Sequence, residues 1–271
     1  MLDAPATMTP AAHGSAQRQP AGQPEPVCVF GTDSTGNHKG EHATLAVRHH
    51  GAQSGTWNGP SGNSYMIPYR NGEGQLLPLK VIANYVNDFC SYAAGKQDLS
   101  FQVTRFASGG DAHRDAEVAA LFRNAPKNVL LPGVWLKALD PARAVRLYIL
   151  DPGCRLAFPE FRKAFAQYFA INVPLWGPHG VELCSTGTAR SITLTDKAAR
   201  ELGLRHRVFG QNAEVYGREA GVVAELKTVW YCTHLLSVVD LDQTGQVDVI
   251  RIMSAATRNG LIIEQLPFEG R

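Results

Sequence analysis

The sequence is poor in several features that would narrow its function. It has only five cysteines in 271 residues, an odd number, widely spaced and with no Cys-x-x-Cys pair. That pattern argues against a disulfide framework. Cys28, Cys90, Cys154, Cys184 and Cys232 are expected as buried free thiols in a reducing compartment. Charge of one sign is also missing: 26 Lys and Arg stand against 24 Asp and Glu, for a net +2. No strong field therefore draws the chain to nucleic acid. No apolar run approaches the ~18 residues that cross a bilayer, and no basic stretch followed by an apolar one marks a secretory signal. The expected location is the cytoplasm, with no membrane partner. There is no internal repeat.

What remains is a globular composition, 44% hydrophobic and 18% charged, in a length that suits one large or two modest domains. Residues 1–26 are rich in Ala, Pro, Gly and Gln without apolar periodicity, and read as a disordered tail. Val27-Cys28-Val29-Phe30 is a short apolar run ending at Gly31, as a buried strand feeding a loop would be. The loop from Gly31 to Gly40 is built of Gly and small polar residues. Ala43, Ala46 and Val47 predict a helix over 41–50. A second glycine-rich stretch includes Gly51, Gly55, Gly59 and Gly62. Ser64 to Pro68 reads as a strand. Pro78 opens a helix whose Ile82, Tyr85, Val86 and Phe89 recur at i, i+3, i+4, i+7. Phe101 to Phe106 alternates like a strand and runs into Ala107 to Ala112. A short helix at Val118, Leu121 and Phe122 and a strand at Val129 to Leu131 follow. Strands alternating with helices predict an α/β fold, a mixed sheet flanked by helices, over residues 27–136.

Residues 140–271 read as a second part of α+β type. It has a strand over 145–150, an aromatic-rich helix over 158–169, and a helix over 195–202 with Thr195 as N-cap and Gly203 as stop. A helix at Val222 to Trp230 precedes a hairpin of strands, 235–241 and 247–253. Its turn, Asp240 to Asp248, mimics the start of an EF-hand loop, but Arg251 stands where the last ligand should be, so a plain turn is the better account. Ser185-Thr186-Gly187-Thr188 also reads as a plain turn. Trp57, Trp176 and Trp230 are expected in core or interface.

Over residues about 27–135 the order and spacing of several blocks resemble an uncharacterised family of phage and prophage proteins. The blocks are Val29-Phe30-Gly31-Thr32-Asp33 with Gly36 and His38, and Gly62-Asn63-Ser64-Tyr65-Met66-Ile67-Pro68. Then come Leu77-Pro78-Leu79, Phe101-Gln102-Val103-Thr104-Arg105, and Asn128-Val129-Leu130-Leu131-Pro132 with Trp135. The layout is more remotely similar to the macro domain, which binds ADP-ribose. The resemblance implies a nucleotide- or ADP-ribose-like ligand in a crevice made by residues 31–40, 59–64 and 107–112. The ligand-binding residues would be Gly31, Thr32, Gly36, Gly62, Ser64, Ser108, Gly109 and Gly110. Asp33 and His38 would then serve acid/base chemistry, with hydrolysis of an ADP-ribosyl bond as the reaction class, and no cofactor is implied.

Two alternatives stay open. Glu41 and Asp111 would oppose a phosphate, which favours a non-catalytic interaction module whose second part binds an unidentified protein partner. His38-Lys39-Gly40-Glu41-His42 also fits the H-x-x-E-H pattern of a zinc hydrolase, although Gly40 and the loop before it place His38 outside any helix, so no metal site is expected.

Overall fold

The computed structural model describes residues 17–18, 25–38, 40–108, 112–143, 145–150, 157–176, 180–186, 189–238 and 247–266. The chain first forms β1 (Gln17–Arg18), then β2 (Val27–Asp33), α1 (Glu41–His49), β3 (Gly59–Ser61), β4 (Ser64–Arg70), α2 (Leu79–Ala94), β5 (Phe101–Val103), α3 (Asp115–Leu121), β6 (Val129–Leu130) and α4 (Gly133–Leu139). It continues through β7 (Val145–Leu150), α5 (Phe158–Trp176), β8 (Val181–Thr186), α6 (Ala189–Leu202), β9 (Arg205–Phe209), α7 (Ala213–Tyr216), α8 (Ala220–Tyr231), β10 (His234–Ser237), α9 (Val247–Arg258) and β11 (Ile262–Gln265). The protein is thus of the α/β class, with two separate sheets. No helix among the described residues is long and apolar enough to cross a membrane.

The first sheet has the order β3-β4-β2-β5-β6, in which only β3 runs antiparallel to its neighbour. Its strands carry near-continuous apolar runs because both faces are covered. On one face lie α2, α3 and α4, and their core holds Val29, Ile67, Ile82, Val86, Phe89, Phe101, Val103, Phe122 and Trp135. On the other lies α1, whose Ala43 and Ala46 meet Cys28, Phe30 and Met66.

The second sheet is parallel throughout its described pairs, in the order β1-β9-β8-β7-β10-β11. Helices α5 and α6 cover one face over Leu147, Ile149, Leu183, Phe161 and Phe165. Helices α8 and α9 cover the other over Tyr148, Leu150, Leu235, Val229 and Ile252. The second part had been expected as α+β; its strands instead alternate with helices and run parallel.

Several local expectations are corrected. The hairpin over 235–253 does not form: β10 ends at Ser237 and 247–258 is α9. Val249, Ile252, Ala255 and Ala256 are the buried positions of that helix, and this 3.6-residue spacing outweighs the strand preference of its Val and Ile residues. The acidic turn at 240–246 lies outside the described residues. Thr195 is no N-cap, because α6 starts six residues earlier and the Thr195 hydroxyl donates back to the Ser191 carbonyl (2.9 Å). Ser185 and Thr186 close strand β8 rather than forming a turn. Most of the tail lies outside the described residues, yet Gln17 and Arg18 pair with Arg207 and Val208 at the sheet edge. Cys28, Cys184 and Cys232 are buried free thiols and Cys90 a half-buried one; Cys154 is not described.

The two parts share α1. Its Leu45 joins the α8–α9 core, and the His42 ring meets Trp230 edge-on at 5.1 Å. Nearby, α4 approaches the end of α8 so closely that a Cβ at Gly133 would strike the Tyr231 and Cys232 carbonyls. Only glycine permits that contact. Glu25 accepts from Lys227, Asn212 (2.8 Å) and Tyr216 (2.9 Å), and so ties the start of the first part to the second. Burial raises the Glu25 carboxyl, but Lys227 with the Asn212 and Tyr216 donors outweighs it and brings the pKa below the usual value.

Candidate functional site

Among the parallel strands of the first sheet the chain order is second, first, third, fourth. It reverses between β2 and β5. In open α/β sheets the ligand crevice lies outside the carboxyl ends of the strands at such a reversal. The loops after β2 and β5 therefore leave the same rim side by side. Thr32 and Asp33 end β2 at the start of the first loop and Ser108 lies in the second, so these residues share one end of the sheet.

Gly62 and Ser64 do not join them. Cys28 at the start of β2 pairs with Ser64, and Asp33 at its end pairs with Arg70. The 59–64 stretch is therefore at the opposite rim, where Gly59–Ser61 folds back on β4 as an antiparallel strand. Its small residues make that turn: Gly62 packs on the His50 and Gly51 backbone, and the buried Ser64 hydroxyl donates to Ser61 O at 2.5 Å. Of the three stretches expected to line one crevice, only those after β2 and β5 share a rim.

Within those loops several predicted residues have structural partners. Asp33 Oδ1 accepts from Thr35 N (2.9 Å), Thr35 Oγ1 (2.5 Å) and Asn37 N (3.3 Å). Partial burial raises its pKa, but the Thr35 hydroxyl and the surrounding backbone N–H groups outweigh that and leave the carboxyl below the ordinary range. Thr32 is buried and donates to the Asp33 carbonyl. Gly36 has φ +68°, and a Cβ there would meet Gly55 backbone at 2.5 Å, so loop packing requires this glycine. His38 Nε2 is 2.9 Å from the Gln53 carbonyl, which fixes the proton on Nε2, and the ring packs on Phe30 at 5.4 Å. Gly31 is flanked by Phe106 and Tyr69, either of which a Cβ would strike, so the hollow on that face is filled by side chains. Gly109 and Gly110 lie outside the described residues.

The zinc reading finds no support in this geometry. Helix α1 begins at Glu41 after Gly40, so His38 is not on it. His42 faces Trp230, and burial pushes its pKa down to about 4 while Glu41 raises it only weakly. Glu41 is paired with Arg258 at 2.9 Å. Among the described residues no three His, Cys, Asp or Glu side chains cluster to hold a metal.

Sequence reasoning missed Asp115. It accepts from Arg105 at 2.8 and 2.7 Å, from Ser108 at 2.8 Å and from the Trp135 indole at 2.8 Å. Burial raises its pKa, and these donors, Arg105 first, outweigh it. Asp115 also borders a cleft of about 600 Å³ between α4 and the amino ends of β7 and β10, with β11 alongside. Lys137, Asn172, His234 and Glu264 supply its other polar groups. No local motif announces it, because its walls come from both parts.

Ser185, His206 and Asp196 form a row resembling a hydrolase triad. The Ser185 hydroxyl lies 2.8 Å from His206 Nε2, and His206 Nδ1 lies 3.6 Å from Asp196. Ser185 is fully buried inside β8 and closed to substrate. Burial lowers the imidazole pKa despite Asp196, and the row packs a core histidine beneath α6 whose Nε2 alone is hydrogen-bonded.

In comparisons with known proteins, no family model, no curated protein and no solved structure matches this chain.

Proposed function

We propose that the chain binds a nucleotide-type ligand, ADP-ribose-like in form, over the carboxyl rim of its first sheet. One observation carries this reading: the strand order reverses between β2 and β5, so the small-residue loops after them adjoin. The exposed loop through Ser34, Thr35 and Asn37 then leads into α1, whose Gly40 cap leaves the first-turn N–H groups without a side-chain acceptor. Such a helix start favours an anion. The described hydrogen bonds to Asp33 converge on Oδ1, which leaves Oδ2 for a ribose hydroxyl or a water. Hydrolysis of an ADP-ribosyl bond, with Asp33 orienting that water, is the reaction class that fits, and the remote similarity to the macro domain points the same way.

A second reading has its own support. Phe106 and Tyr69 fill the space beside Gly31, as in a pocket given over to packing. The chain would then act as a non-catalytic interaction module. Calorimetric titration with ADP-ribose and NAD separates the two. Under the first, ADP-ribose binds saturably and Asp33→Ala weakens it by roughly tenfold or more, the loss of a hydrogen bond to a charged group. Absence of heat and of a thermal shift at millimolar ligand overturns the first reading and leaves the second.

A further inference from the structure

The cleft between the two parts carries a separate inference, independent of the nucleotide reading. Its volume of about 600 Å³ falls in the range of small-molecule sites, which favour interfaces between structural units. Val134 from α4, Val145 from β7 and Ile262 from β11 give it an apolar lining, and Ile262 leaves 56% of its surface to solvent. An apolar wall left open in this way is a place for an apolar group.

Two charges stand at the cleft without a countercharge. Lys137 donates to the Arg143 carbonyl (2.7 Å), and Glu264 accepts from the Tyr168 hydroxyl. Neither belongs to an ion pair among the described residues, whereas most other half-buried carboxylates and guanidinium groups are paired. His234 sits within the field of both, and burial chiefly, with Lys137, lowers its pKa against the pull of Glu264, which disfavours a second cation there. With the Asp115 carboxylate already paired to Arg105, the described lining presents one unpaired cation, one unpaired anion and an apolar wall.

We propose that this cleft binds a zwitterionic small molecule of the α-amino-acid type, its carboxylate on Lys137, its ammonium on Glu264 and a bulky apolar side chain against Val134 and Ile262. Each protein charge gains an opposite charge in a partly desolvated place, where such contacts are stronger than at an open surface.

The test is calorimetry on the full chain with three probes: L-phenylalanine, 3-phenylpropanoate, which lacks the ammonium, and phenethylamine, which lacks the carboxylate. L-phenylalanine is expected to bind saturably and both truncated probes at least about tenfold more weakly. Lys137→Met should abolish the preference over phenethylamine, and Glu264→Gln the preference over 3-phenylpropanoate. Because each variant is read as a ratio between probes, a general loss of stability does not mimic the result. Ala138→Trp, which fills the cleft, should remove binding while the circular dichroism spectrum is kept. The proposal is overturned if L-phenylalanine shows no saturable binding at millimolar concentration, or if both preferences survive in the variants. None of the probes carries a nucleobase or phosphate, so the outcome does not depend on the rim of the first sheet.

Discussion

The two sheets solve the same problem with different amounts of help from local sequence. In the first, β2 and β4 run into turns rich in small residues, and one edge is closed by an antiparallel strand, β3, turned through Gly62 and Asn63. In the second, the described strands are all parallel, and they extend to a two-residue strand drawn from the start of the chain. Each sheet also has its own reversal of strand order, at β2/β5 in the first and β7/β10 in the second. The lesson is that punctuation by glycine makes a sheet readable, whereas burial alone does not.

The sharpest way to probe the comparison is to damage each core in turn. Trp135→Ala removes a fully buried ring stacked on Phe122 at 5.4 Å and edge-on to Phe106, and leaves Asp115 without one donor. It is expected to cost about 3–5 kcal/mol. Leu147→Ala in the centre of the second sheet should cost about 2–5 kcal/mol. If α1 and α4 couple the parts into one cooperative unit, urea unfolding followed by tryptophan fluorescence and by circular dichroism gives one coincident transition for each variant. Two separated transitions would show that the sheets melt independently.

A smaller effect is expected at the tie between the parts. Lys227→Met strands the Glu25 carboxylate among Asn212 and Tyr216, and leaving a largely buried charge unpaired costs about 3 kcal/mol. Glu25→Gln combined with Lys227→Met removes both charges and should recover part of that loss in a double-mutant cycle. A cycle with zero coupling energy would mean that the tie adds nothing to stability.

The smallest effect is a pH dependence seated at the same interface. His42 and His50 are both pushed to about 4, chiefly by burial, with Lys227 adding to the effect at His50. Unfolded histidine takes up its proton near pH 6.5. Between about pH 6.5 and 4 the unfolded chain therefore binds more protons than the folded one, and stability falls as pH is lowered through that window. The melting temperature should drop by several degrees from pH 7 to pH 5. His42→Leu should flatten the slope; an unchanged slope would place its origin elsewhere.

The first sheet was legible in its four parallel strands, whereas the short β3 lay hidden in a glycine-rich stretch. Apolar runs at Val27–Phe30 and Ser64–Pro68 stop at Gly31 or Pro68, and Ile82, Val86 and Phe89 mark a helical face. The second sheet was harder. Strand β8 carries Glu182 in a buried place, held by the Tyr231 hydroxyl and Arg207, and β9 reads Arg-His-Arg-Val-Phe. Charge paired in three dimensions hides a strand from any rule based on hydrophobicity. For α9 the opposite happened, and Val and Ile residues masked a helix. That the loops after β2 and β5 would be neighbours could be anticipated because they follow apolar runs, but the placing of Gly62 and Ser64 at the far rim depends on strand direction. The cleft with Lys137 and Glu264 could not be anticipated, since 127 residues separate them, as 264 − 137 gives.

Strand β1 has one further consequence, and it concerns synthesis. Its partner β9 begins at Arg205, 187 residues after Arg18, as 205 − 18 gives. At a ribosomal pace of about 5–20 residues per second, roughly ten to forty seconds pass before that edge exists. The first sheet can close in the interval, so β1 waits, already made, for an edge that forms late.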